Sequence, residues 1–99
     1  MDIPENIKIG GKIYQVAVTM MMLKSGSVNS SAEIDHGESM IRITPQEDQK
    51  MCTDFLHEMV HGILNHLGYT DHDEQLVDGI ANTLFAINVD NPDLFTNLR

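Results

Sequence analysis

The sequence predicts an α+β fold, a small, twisted, mostly antiparallel sheet followed by two helices, and three observations predict it. Period-two alternation of apolar residues is confined to the segments before Thr44. Period-3.6 patterning takes over after it, and Gly, Ser and Asn punctuate the segments as turn signals. The chain has 99 residues, enough for one domain with one modest core, so residues 1–99 are expected to form a single unit.

Taken in order, Ile7-Lys8-Ile9 alternates, Gly10-Gly11 signals a hairpin turn, and Lys12 to Val18 alternates again. Thr19 to Lys24 fits either a short helix or a buried strand, and Met20-Met21-Met22 reads as adaptable packing. Ser25 to Ser31 reads as a loop. Ala32 to Asp35 and Met40 to Ile43 form a second hairpin around His36-Gly37-Glu38-Ser39, with Ile41 and Ile43 pointing inward. Thr44-Pro45-Gln46-Glu47 has the form of a capping box, so a helix should run from about Pro45 to Leu67, where Gly68 ends it. Its expected core face is Cys52, Leu56, Met59, Val60, Ile63, Leu64 and Leu67. A second helix should start near Asp71 or His72 and reach about Asn88, burying Leu76, Val77, Ile80, Ala81, Leu84 and Ile87. Asn91-Pro92 can cap one last turn carrying Leu94, Phe95 and Leu98.

Charge narrows the function. Six basic residues against fifteen acidic ones give a net charge of −9, and the basic ones form no run, so a nucleic-acid partner is not expected. No apolar stretch is long enough to cross a membrane, and the first residues carry neither a basic head nor an apolar core of a signal peptide. The lone Cys52 rules out an internal disulfide and suits a reducing compartment, which makes the cytoplasm the expected location.

Four of the five histidines fall between positions 57 and 72. His57-Glu58-Met59-Val60-His61 has the form H-E-x-x-H: imidazoles at i and i+4 leave one face of a helix and can grip one tetrahedral ion. Glu58, rotated about 100° from His57, is placed to reach a water on that ion as general base. It would take a proton from the zinc-polarised water and later pass it to a leaving amine. The bland alternative is a surface helix whose histidines flank the core. A third protein ligand is required, and His66, His72, Asp73, Glu74 and Asp78 are the downstream candidates. His66 points about 140° from His61 and reads as a surface residue, while Cys52 reads as a buried thiol.

Paired with Glu74-Gln75-Leu76-Val77-Asp78, the H-E-x-x-H segment resembles the gluzincin pattern of zinc metallopeptidases. The string Glu74 to Ala81 is similar to the ligand helix of ImmA/IrrE-type peptidases, bacterial and mobile-element proteins, and the chain length is close to that of minigluzincins and small phage-encoded proteins of this kind. The resemblance covers roughly residues 32 to 88. It implies a zincin-like fold, Zn2+ bound by His57, His61 and Glu74, Glu58 as general acid/base, and Asp78 as the partner of a zinc histidine. It also implies a peptide or protein substrate lying along an exposed strand beside the zinc helix, for which Met40, Ile41, Arg42 and Ile43 are the candidate. Two departures stand out: the short gap between His61 and Glu74, requiring a tight turn at Gly68-Tyr69-Thr70, and Asp73, where thermolysin-like enzymes have asparagine. His72 reads as a helix cap or as a group that stabilises a tetrahedral intermediate, and Tyr69 as a packed ring or an oxyanion donor. Mn, Co or Ni would accept the same ligands, and bound metal would add folding energy to a marginal core.

Two other functions compete. A latent or non-catalytic zinc-stabilised interaction module would use the tail from Pro92 onward to fill the cleft. A metal-dependent endoribonuclease related to YbeY is echoed by His57, His61 and Gly68-Tyr69-Thr70-Asp71-His72. That family spaces its second and third histidines six apart, whereas eleven positions separate His61 from His72.

Overall fold

A computed structural model describes residues 2–20 and 31–98. The ambiguous apolar run after Met20 and the loop up to Ser30 lie outside the described residues. Four strands, β1 (Asn6–Ile9), β2 (Lys12–Val18), β3 (Ala32–Asp35) and β4 (Met40–Ile43), precede α1 (Asp48–His66), α2 (Glu74–Asp90) and the short α3 (Leu94–Asn97). The α+β class is thus as the sequence predicts.

Gly10 and Gly11, at φ 57° and 89°, close the β1–β2 hairpin with the left-handed backbone that suits a two-residue turn. The strand order is β1-β2-β4-β3; β2 pairs with β4 in parallel (Val16 opposite Ile41), and β3 pairs with β4 antiparallel (Ile34 opposite Ile41). β4 is therefore an interior strand, with Ile41 and Ile43 fully buried. The expectation that Met40, Ile41, Arg42 and Ile43 form an exposed substrate edge is corrected: both edges of β4 are consumed by pairing. Arg42 is also spoken for, since its guanidinium donates to Glu33 Oε2 at 3.1 Å and Glu38 Oε2 at 3.0 Å. The outermost strand on that side, among the described residues, is β3. Truncating Ile41, which touches neighbours on all sides, should cost about 2–5 kcal/mol in a denaturant melt.

α1 starts at Asp48, three residues later than the capping box suggests, and Glu47 is its cap, accepting from Lys50 N–H at 2.9 Å. Thr44 is held extended instead. Its N–H donates to Ser31 C=O at 2.8 Å and prolongs the β3–β4 ladder, and the following Pro45 disfavours a helical Thr44. The other end is as expected. Gly68 at φ 93° donates to Asn65 C=O, and Tyr69 N–H donates to Leu64 C=O, both at 3.0 Å; together they form a Schellman motif. A Cβ at Gly68 would meet nothing, so Gly68→Ala tests backbone conformation alone and should cost about 1 kcal/mol of stability.

α1 is the middle layer, packed on β1, β3 and β4 on one side and on α2 on the other. Its buried residues are Cys52, Phe55, Leu56, Val60 and Gly62, with two acids, Asp54 and Glu58. The core stripe is consequently broader toward the N-terminal half than the sequence predicts, while Ile63 and Leu67 are exposed at the last turn. α2 has one neighbour layer only, so Val77 and Ala81 are buried whereas Leu76 and Ile80, expected in the core, stay largely exposed. Asp73 caps α2: its carboxylate accepts from Gln75 and Leu76 N–H. Capping is a task that asparagine, which thermolysin-like enzymes have at this position, would serve equally, and the Asp73 cap corrects the start of the helix and the reading of His72 as its cap.

Candidate metal centre

α1 and α2 meet with His57 and His61 facing Glu74 and Asp78, two pairs spaced four residues apart so that each leaves one helix face. His57 Nε2 and His61 Nε2 are 3.1 Å apart. Glu74 Oε2 lies 3.1 Å from His57 Nε2, and Glu74 Oε1 lies 3.1 Å from His61 Nε2. Metal bonds of about 2.0–2.2 Å in a tetrahedral shell put neighbouring donors about 3.3 Å apart, so this triangle fits one ion. His57, His61 and Glu74 can hold a metal.

The hydrogen bonds around the triangle reinforce that fit. Asp78 Oδ1, 2.6 Å from His57 Nδ1, can only accept when ionised, so His57 carries its proton on Nδ1. On the other side, His72 Nε2 must donate to Tyr69 C=O at 2.9 Å, which leaves His72 Nδ1 as an acceptor for the Nδ1–H of His61 at 2.7 Å. Both Nε2 atoms then present lone pairs to each other and to a carboxylate. Acceptors converge there with no donor between them, an arrangement a cation satisfies. Burial also lowers the His61 pKa, with His57 and His72 acting in the same direction against Glu74, which favours the neutral ring a metal needs.

Glu58 lies beside the triangle, 7% exposed. Desolvation pushes its carboxyl up to about 7; His57 opposes that shift and Glu74 adds to it. Glu58 shares with His57, Glu74 and Asp78 a cleft of about 240 Å³ that is also lined by Ser31, Ala32, Lys50 and Asp54. No family, curated protein or solved structure matches this chain. The site is therefore read from its own geometry.

Of the residues singled out in the sequence, the structure brings together His57, Glu58, His61, Glu74, Asp78 and His72. Tyr69 takes part through its backbone carbonyl, while its side chain belongs to a residue that is 59% exposed. His66 is exposed, as expected, with its ring over Gly10. The β4 residues stand apart, in the sheet interior. Sequence reasoning missed Asp54, which is buried and accepts from Ser31 Oγ, from Gln46 Nε2 at 2.9 Å and from Lys50 Nζ. This cluster ties the start of β3 and the β4–α1 loop to α1, one turn before His57. The i, i+4 spacing of Lys50 and Asp54 was the one available signal. It also missed His36, whose Nδ1 is hydrogen-bonded to the buried Tyr14 hydroxyl at 3.0 Å, a contact that pins the β3–β4 turn onto β2.

Proposed function

We propose that this chain is a zinc-dependent endopeptidase of gluzincin type, cleaving peptides or proteins in a cleft between α1 and β3. The observation that carries the reading is the donor-free convergence of His57 Nε2, His61 Nε2 and the Glu74 carboxylate, with a buried acid, Glu58, in the same cleft. Two imidazoles and one carboxylate are the donor set of catalytic zinc, where three protein ligands leave one position for solvent or substrate. When bound, zinc supplies Lewis-acid activation of water and of the scissile carbonyl. Glu58 takes the proton released by the attacking water and returns it to the departing amine. Asp78 holds His57 with its Nε2 toward the ion. β3 replaces β4 as the strand along which an extended substrate would lie, because its Ala32 end lines the cleft.

Two features weigh against the rival readings. His72 meets the outer nitrogen of His61, and at 2.7 Å the two are too close to be donors of one tetrahedral ion, so Glu74 is the better third ligand and the ribonuclease-like pattern loses its third histidine. Among the described residues the cleft lining includes no tail residue, and Phe95 lines a separate apolar recess with Phe55, Leu56, Met59, Leu84 and Asn88. Deleting residues 91–99 should therefore leave peptidase activity unblocked and unchanged. No helix among the described residues is long and apolar enough to cross a membrane.

The test is metal analysis of the purified chain together with hydrolysis of casein and a peptide library. Close to one equivalent of zinc, with cleavage abolished by a chelator and restored by zinc, is the expected result. Stoichiometric zinc without cleavage of any peptide would favour the interaction-module reading; no zinc at all would end both.

A further inference from the structure

His72 has no task in the reaction as proposed, yet it makes two well-formed hydrogen bonds at the rim of the site. It is half-buried, its ring stacks on that of His61 with centroids 4.9 Å apart and planes 21° from parallel, and it lies in the loop joining α1 to α2. We propose that His72 is a positioning residue of the metal centre: it fixes His61 as an Nε2 ligand, on an arm anchored by the Gly68 turn. The inference rests on the reading of His57, His61 and Glu74 as metal ligands.

The arm can be followed atom by atom. Gly68, in the left-handed region, lets Tyr69 N–H return to Leu64 C=O, which sets the Tyr69 peptide against the end of α1. The Tyr69 carbonyl accepts from His72 Nε2–H and so selects the His72 tautomer whose Nδ1 is an acceptor. That acceptor takes the Nδ1–H of His61, and the lone pair of His61 Nε2 is left facing Glu74. A ligand imidazole whose distal N–H is unpartnered can rotate or switch tautomer, and losing such a partner typically costs about 10–100-fold in metal affinity.

The two histidines are held by chemically different partners. His57 has the carboxylate of Asp78, and His61 has a neutral imidazole. With Glu58, Glu74 and Asp78 already around the site, a neutral acceptor orients His61 without adding a further negative charge to a cleft that must admit a peptide carbonyl. Simple ring packing is the competing role for His72, and two substitutions separate the roles. In His72→Asn the amide oxygen sits, like Nδ1, three bonds from Cα, so the acceptor is kept while the stacked ring and the Nε2–H bond to Tyr69 are lost. In His72→Phe the stack is kept and the acceptor is lost.

Zinc affinity of the full chain, measured by competition with a chromophoric chelator, is the readout, with His61 ring nitrogen shifts by NMR beside it. His72→Phe should bind zinc about 10–100-fold more weakly and show a mixed His61 tautomer, while His72→Asn, which keeps the acceptor without its Tyr69 anchor, should bind at least about threefold more tightly than His72→Phe. The reverse order, or equal affinity in wild type and His72→Phe, overturns the proposal. Should His72→Phe fail to fold, His72→Leu, which also removes the acceptor, takes its place: zinc affinity within about threefold of wild type with the chain folded overturns the proposal. Glu74→Ala in the same assay keeps the two readings apart. Zinc lost in Glu74→Ala but retained in His72→Phe removes the arm only, whereas a wild type that binds no zinc removes the metal centre and the arm with it.

Discussion

Glu58→Gln is expected to keep zinc and lose turnover by about 100- to 10,000-fold, the range in which a positioned general base contributes. Glutamine preserves the shape of a side chain that is 7% exposed, so the packing of α1 should survive. What it removes is the group that, in the proposed mechanism, holds a proton between attack and departure of the amine. Burial, opposed by His57 and reinforced by Glu74, Asp54 and Glu33, has already made ionisation costly, lifting the group to about 7 in the metal-free protein. The sign of the stability effect follows. A carboxyl raised from 4.5 to about 7 on folding makes the folded state bind more protons, so its contribution is full below pH 4.5 and is lost as pH rises through 7. Metal-free Glu58→Gln should therefore match wild type at pH 4 and exceed it at pH 8 in thermal melts. Equal turnover in wild type and the zinc-loaded variant would remove Glu58 from the mechanism.

The pattern of what the sequence disclosed follows from the range of the interactions involved. His57 and His61 were legible because i, i+4 spacing on a helix is local geometry and α1 is long enough to enforce it, whereas Glu74 and Asp78 stood out from the other downstream candidates through the resemblance to the gluzincin pattern. The end of α1 was legible for the same reason, since Gly68 acts through bonds to Asn65 and Leu64. The place of β4 was not. Its four residues alternate as any half-buried strand does, and only the parallel pairing of Val16 with Ile41, fixed by a non-local connection, puts it inside the sheet. The start of α1 failed through competition: Thr44 is a good cap by type, but the sheet claims its N–H first. Leu76 and Ile80 failed because a helical stripe shows which residues could be buried, and among the described residues α2 packs chiefly against α1, on its Val77 and Ala81 side. His72 was read as a cap from its place in the chain; Asp73 binds the helix N–H groups more strongly, which frees the imidazole for His61.

Glu74→Ala should abolish tight zinc binding and, with it, the stabilisation zinc confers. Two imidazoles alone leave the ion with half a tetrahedral shell, whereas Glu74 supplies an oxygen 3.1 Å from each of them. At zinc one hundred times its dissociation constant, binding only to the folded state adds about 2.7 kcal/mol. For a chain of this size that corresponds to a rise of roughly 10–20 °C in the melting temperature. The substitution itself should be nearly silent without metal. Glu74 is an exposed side chain in the first turn of α2, and losing a negative charge there costs about 0.3–1 kcal/mol of helix-dipole interaction. Wild type and Glu74→Ala should thus melt within a few degrees of each other in chelator and separate widely when zinc is added. An equal zinc-induced rise in both would place the ion elsewhere, on donors that leave Glu74 out. A rise in neither would mean that the lone pairs of His57 and His61 face each other for a reason other than metal, and the peptidase reading would fall with them.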